Sequence, residues 1–331
     1  MANLYSGAVF ALMSSLAFQL PECSFEKTKI NNDDGVISQY SPWVVRRDNE
    51  SPYVMFYCKN SVINGIGRDR VWRMENYGDG IHDWVNDIVV VEGTSKRKED
   101  DLSCSPGVEF MGDTWHMYYL VANRRTPLDI YIHHAVAEYP GYDWKKLGRV
   151  TGESVMQNVY MERPSPVFAN SMMNLYVQGP DAYWYVARSS DGHDFTERIE
   201  LNAPPGDGRI SMSGGLYFYA FNTFNGWDKR TLFSHEFRVL VSTDGINFTH
   251  EISLPNSYAP GDWDSNERYG PFLFVENDRA PVKLYYSGNA EYPKPSFSYP
   301  DTKKCCFMQR TSLGVIAYTP VPESHSVGGP R

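Results

Sequence analysis

Self-similarity constrains this chain of 331 residues more than any other property. One element recurs: a small residue, a proline, a few apolar residues, a turn, then a tyrosine-rich strand. It reads Tyr40-Ser41-Pro42-Trp43-Val44 before VMFYC (54–58), and Cys104-Ser105-Pro106-Gly107-Val108 before WHMYYLVA (115–122). It returns as Glu162-Arg163-Pro164-Ser165-Pro166-Val167 before NLYVQG (174–179), and as Tyr269-Gly270-Pro271-Phe272 before VKLYYSG (282–288). A version without proline, Ile210-Ser211-Met212-Ser213-Gly214-Gly215, runs into LYFYAFNTF (216–224). A second element follows, in which a polar Asp-Gly turn precedes an aromatic: Asp79-Gly80 with Trp84, Asp191-Gly192 with Phe195, Asp244-Gly245 with Phe248. Pro140-Gly141-Tyr142-Asp143-Trp144 is a degraded copy. Asp-Gly tolerates positive φ and marks tight turns, and the aromatic beyond it can pack back under the strands.

The spacing sets the architecture. Asp191 and Asp244 lie 53 residues apart, and Asp79 and Asp191 lie 112 apart, or two units of 56. Units of this length with about four short strands each match the period of a β-propeller. The expected fold is therefore all-β: a single five-bladed β-propeller with about four antiparallel strands per blade. Approximate blades are 40–100, 101–158, 159–208, 209–262 and 263–320. The ring would close by pairing an N-terminal strand within 24–38 with LGVIAYTP at 313–320. A two-sheet sandwich has no reason to repeat both elements in the same order. Helical periodicity is nearly absent.

Composition narrows the partners. Aromatic residues make up 15 % of the chain and charged residues 21 %, with a net charge of −9. Disorder needs few aromatics, and a nucleic-acid surface needs a basic face, so neither fits. No run reaches the ~18 apolar residues of a membrane span. The apolar stretch 8–18 lacks the preceding positive charge of a secretory signal, and reads instead as a buried strand or short helix. The compartment stays open, and so does the oligomeric state. The five cysteines are odd in number and lack zinc spacing, which does not suggest a disulfide framework. No cofactor motif is present, whether phosphate loop, G-x-S-x-G elbow or H-E-x-x-H, and no second ligand accompanies His133-His134 or His235 at metal spacing.

In a propeller the first strand of each blade lines the axis, so the proline steps converge. Two of them carry a Glu-Arg pair, Glu162-Arg163 and Glu267-Arg268. Tyr40, Tyr160, Trp263 and Tyr269 lie at blade starts or in the loop 260–266, where aromatic faces are placed to meet a ligand. Trp43 and Trp115, inside strands, read as packing residues. On these residues the chain resembles, over roughly 38–320, the five-bladed propeller glycosidases around glycoside hydrolase families 43, 32, 62, 117 and 130. Met161-Glu162-Arg163-Pro164 matches the E-x-P step that carries the general acid of family 43 in the third blade. The resemblance implies that Glu162 is the acid. Where that family places its base and its acid-tuning Asp, this chain has Ser41 and, beside the second proline, Ser105 and Gly107. Asp34, Asp101 and Glu267 are the candidates for the base.

The implied activity is hydrolysis of a poly- or oligosaccharide by paired carboxylates in the central channel. Arg163, Arg268, Tyr40, Tyr160, Trp263, Tyr269 and His235 would contact substrate, with no metal. Two alternatives stand beside it: a non-catalytic glycan-binding propeller, lectin-like or for virion attachment, and a glycoside phosphorylase.

Overall fold

A computed structural model describes residues 24–30, 38–63, 66–92, 102–123, 126–141, 143–152, 163–179, 183–223, 236–252, 254–255, 257–265, 267–276, 282–289 and 312–319. Their strands are β1 (Ser24–Ile30), then β2 (Ser38–Val45), β3 (Tyr53–Ile63), β4 (Ile66–Asn76) and β5 (Val85–Val91) of blade one. Blade two holds β6 (Leu102–Met111), β7 (Thr114–Asn123), β8 (Thr126–Ala137) and β9 (Lys145–Arg149). Blade three holds β10 (Ser165–Ala169), β11 (Met172–Gln178), β12 (Trp184–Ser189) and β13 (Glu197–Glu200). Blade four holds β14 (Asp207–Ser213), β15 (Leu216–Asn222), β16 (Arg238–Ser242) and β17 (His250–Ile252). Blade five is β18 (Glu267–Phe274), β19 (Val282–Asn289) and β20 (Ser312–Thr319), completed on its outer edge by β1.

This is a five-bladed β-propeller of four-stranded antiparallel sheets, without helix among the described residues. Each first strand contacts the first strand of the next blade, β18 against β2 included, so the five inner strands form a closed ring. The first and last described strands meet in blade five, where β1 pairs antiparallel with β20 from Ser24↔Thr319 to Ile30↔Leu313. The apolar stretch 8–18 lies outside the described residues.

Burial follows from the layering. Second strands are covered by neighbouring blades on both faces, and every residue of β15 and of β19 is buried. Such strands read as continuous apolar runs, hence the tyrosine-rich segments. Outermost strands such as β9 and β13 are largely exposed and polar.

The two sequence repeats lock together across blade seams. Ser189 Oγ accepts from Gly192 N–H (2.9 Å), and the Asp191 carboxylate accepts from the N–H groups of His193 (2.8 Å) and Asp194 (2.9 Å). Ser242 and Asp244 repeat this pattern with Gly245, Ile246 and Asn247, and Asn76 with Asp79 builds the blade-one version. The aromatics that follow, Trp84, Phe195 and Phe248, are buried. Each turn then receives a tyrosine from the preceding blade: Tyr285 Oη donates to Gly80 O (2.8 Å), and Tyr118 Oη to Gly192 O. At Gly245, φ is +71° and a Cβ would stand 2.3 Å from Tyr176 Oη, so glycine alone fits both the turn and the seam.

The Asp191 carboxyl is held down to about 2, first by Asp194 N–H, then by His193 N–H and the Ser189 hydroxyl. Asp191→Ala should therefore destabilise the fold by about 1 kcal/mol in urea unfolding at pH 7, comparable to losing a helix-cap side chain. An unchanged midpoint would mean that backbone and glycine alone hold the turn.

One covalent tie corrects the reading of the cysteines. Cys58 of β3 and Cys104 of β6 form a disulfide between blades one and two, with Cα atoms 5.2 Å apart and a sequence separation of 46. The pairing is invisible in spacing because it depends on strand register between blades.

Candidate active site

Ser41, Ser105, Arg163 and Gly270 each precede a proline, and all four have positive φ, at 56°, 50°, 70° and 62°. In β2, β6 and β18 the ladder register breaks across this step, between Tyr40 and Trp43, Cys104 and Gly107, and Tyr269 and Phe272. Proline offers no N–H to the ladder, so the strand bulges there and turns the preceding residue off the sheet. For Ser41, Ser105 and Arg163 the left-handed backbone costs about 1–2 kcal/mol each. Strain of this kind gathers at functional sites.

The bulges meet on the axis. Ser41 N–H donates to Ser287 Oγ of blade five (3.1 Å), and Ser105 Oγ donates to Ser41 Oγ (3.5 Å). On the other side of the ring, the Arg163 guanidinium pairs with the Asp207 carboxylate, whose Oδ2 also accepts from Gly270 N–H (3.0 Å). Asp207 begins β14 and takes the blade-four place in the ring. Arg163 and Asp207 are 6 % and 7 % exposed. The half-buried Tyr269 ring lies 5.9 Å from Arg163 Cζ, and Tyr40, also half-buried, directly precedes Ser41.

Two residues further along the inner strands, the axis is filled. Trp43 Nε1 donates to Val108 O of blade two (2.7 Å), and its ring packs 4.4 Å from Phe272 of blade five. Arg209 of blade four stands over the Trp43 ring and donates to Pro164 O of blade three (2.8 Å). Trp43 and Arg209 together form a floor under the polar ring.

The candidates fall into three groups. Arg163, Tyr40 and Tyr269 are at the ring. Glu162, Asp101, Asp34, Tyr160 and His235 lie outside the described residues; Glu267 opens β18, and its side chain is likewise outside them. Arg268 and Trp263 are engaged elsewhere, contrary to the expectation of a substrate-facing pair. Arg268 is 1 % exposed, pairs with Asp264 (2.9 Å), bonds Ser257 Oγ and O (3.1 and 2.9 Å), and borders a 240 Å³ cavity between blades four and five. Trp263 is not exposed: it stacks 5.7 Å from Tyr286, in a groove opened by Gly288 and Gly314. The reason is register. Arg163 stands one residue before its proline and Arg268 three before Pro271, so the two Glu-Arg pairs are not equivalent, and Gly270 takes the place of Arg163.

Sequence reasoning missed Asp207 because blade four lacks the proline that marks the step elsewhere. The glycines flanking it are the usable signal: a Cβ on Gly208 would stand 2.0 Å from Ala220 O, and one on Gly206 2.4 Å from the Phe221 ring. Glu109, beyond the β6 bulge, was also missed. Burial pushes its carboxyl up to about 7, against hydrogen bonds from Phe110 and Phe168 N–H on the seam with blade three.

His134, half of the His133-His134 pair, is wholly buried between blades two and three. It meets His116 through Nε2 (2.9 Å) and His193 through Nδ1 (3.1 Å), so the rings form a chain that does not converge on one point. Among the described residues no group of three metal-type side chains is arranged to hold an ion.

No family model and no curated protein sequence matches the chain. Solved structures do match its fold. A family 117 glycoside hydrolase of the marine bacterium Zobellia galactanivorans is 14 % identical at a TM-score of 0.64, covering 93 % of this chain and 98 % of that one. The catalytic domain of a glycoside hydrolase family 62 α-L-arabinofuranosidase of Coprinopsis cinerea is 12 % identical at 0.56, covering 88 % and 94 %. A glycosyl hydrolase of Bacteroides ovatus is 16 % identical at 0.57, covering 84 % and 83 %. At these identities the likeness is one of fold.

Proposed function

We propose that this chain is a glycoside hydrolase that cuts an O-glycosidic bond of a poly- or oligosaccharide at the axial ring. The observation that carries the reading is the meeting of the proline steps of blades three and five at a buried carboxylate–guanidinium pair, with the half-buried Tyr269 ring beside Arg163. The glycoside hydrolases that share the fold support it. Hydrolysis needs one carboxyl group protonated to assist the leaving oxygen and another ionised, about 5–5.5 Å away in a retaining enzyme and about 6.5–9.5 Å in an inverting one. Glu162, immediately before Arg163 in the chain, is our candidate acid. The sequence offers Asp34, Asp101 and Glu267 for the second carboxylate, and Tyr160 and His235 as further substrate contacts.

A second reading, a non-catalytic glycan-binding propeller, draws on Ser41 and Ser105, which put hydroxyls where paired carboxylates would otherwise face the axis. Arabinans, xylans, fructans and algal galactans are the panel that separates the two. Sugar release by the wild type should fall about 10²–10⁴-fold in Glu162→Gln, the usual worth of a general acid. Binding without turnover favours the second reading, and turnover only with inorganic phosphate identifies a phosphorylase. Activity untouched in Glu162→Gln removes that residue from the acid's role.

A further inference from the structure

We infer that Asp207 is the ionised carboxylate of the axial site, brought from blade four to replace the carboxyl groups missing at Ser41 and Ser105. The inference rests on the hydrolase reading and names the second carboxylate that it requires. Three observations carry it. Asp207 lies on the ring, joined to the steps of blades three and five through Arg163 and Gly270 N–H. A cation on one oxygen and a backbone donor on the other both favour the charged form, which is the state the second carboxylate must keep while the acid stays protonated. Each carboxylate oxygen has two acceptor positions, so those two partners do not use up its lone pairs, and 8 % of the side chain remains exposed.

The step it would perform is balanced within the site. As the water oxygen bonds to the anomeric carbon, Asp207 takes the proton that the water loses. The glycosidic C–O bond breaks with its electron pair on the leaving oxygen, and Glu162 protonates that oxygen.

A plain inter-blade ion pair would have the same geometry, so the test must read chemistry as well as stability. The substrate is the glycan from the panel that wild type cleaves, together with the aryl glycoside of its terminal sugar. Asp207→Asn, which can still accept from Gly270 N–H, is expected to keep the circular-dichroism spectrum and lose at least about 10³-fold in kcat. Asp207→Ala should regain turnover of the aryl glycoside in azide and form the glycosyl azide, because a small anion fits the vacated place. Asp207→Asn within tenfold of wild type overturns the inference and leaves the hydrolase reading standing. So does azide rescue in Asp34→Ala, Asp101→Ala or Glu267→Ala but not in Asp207→Ala. If Asp207→Asn and Asp207→Ala both unfold, azide rescue at any of those other three positions likewise overturns it, and no rescue at any of them supports it. No turnover of any glycan by wild type overturns both.

Discussion

Removing the Cys58–Cys104 bond is expected to cost the fold about 4 kcal/mol, the chain-entropy value for a loop of 46 residues. Across a ring of this size that corresponds to a loss of roughly 6 °C in Tm. The bond sits where it can act on more than the unfolded chain. Cys104 directly precedes Ser105, and Cys58 is the register partner of Tyr40, which directly precedes Ser41. It therefore clamps blades one and two beside two of the strained serines, and part of what it holds is the left-handed backbone that faces the axis. Thermal unfolding of wild type with and without tris(2-carboxyethyl)phosphine, beside a Cys58→Ala/Cys104→Ala variant, measures the effect. Reductant should lower the wild-type midpoint to that of the variant and leave the variant unmoved. Equal sensitivity in both would place the stabilisation elsewhere.

What could be read from the sequence and what could not divide along one physical line. The proline steps and Asp-Gly turns are local chemistry, a missing N–H and a tolerated positive φ, and local chemistry repeats visibly. That is why five blades were legible, and why Tyr40, Arg163 and Tyr269 were placed near the axis. The rest depended on register between strands far apart in the chain. Arg268 looked equivalent to Arg163 because both follow a glutamate, but a shift of two residues relative to proline sends it into the seam beside Asp264. Asp207 has no proline to announce it, and its role at the ring exists only through Arg163 and Gly270, 44 and 63 residues away in sequence. The tyrosines show the same division. Their abundance in second strands was plain, but their function as pegs into the next blade's glycine turn needed the blades side by side.

Between pH 7.5 and 5 the protein is expected to lose about 2 kcal/mol of stability through a single buried side chain, His134. Burial pushes its pKa down to about 3, and positive charge on His116 or His193 would push the same way, opposed by Asp191. The groups around it are His116 and Tyr118 of β7 on one side, and His193 with Asp191 from the turn after β12 on the other. Tyr118 lies nearly parallel to the His134 ring at 4.8 Å. Folding keeps this imidazole neutral, while the unfolded chain protonates it near pH 6.5. The unfolded state thus binds the extra proton as pH falls. The contribution is whole above about 6.5 and drains away toward 3, reaching roughly 5 kcal/mol in all. His116, also lowered by burial, adds in the same direction. Asp191 titrates too far down to contribute in this window. Urea unfolding of wild type and His134→Gln at pH 7.5 and 5 isolates the effect, because the variant's lost packing appears at both pH values and only the titration differs between them. The variant should be less stable at pH 7.5 and lose about 2 kcal/mol less than wild type on acidification. Parallel losses would show that the blade-two seam takes up the charge without cost.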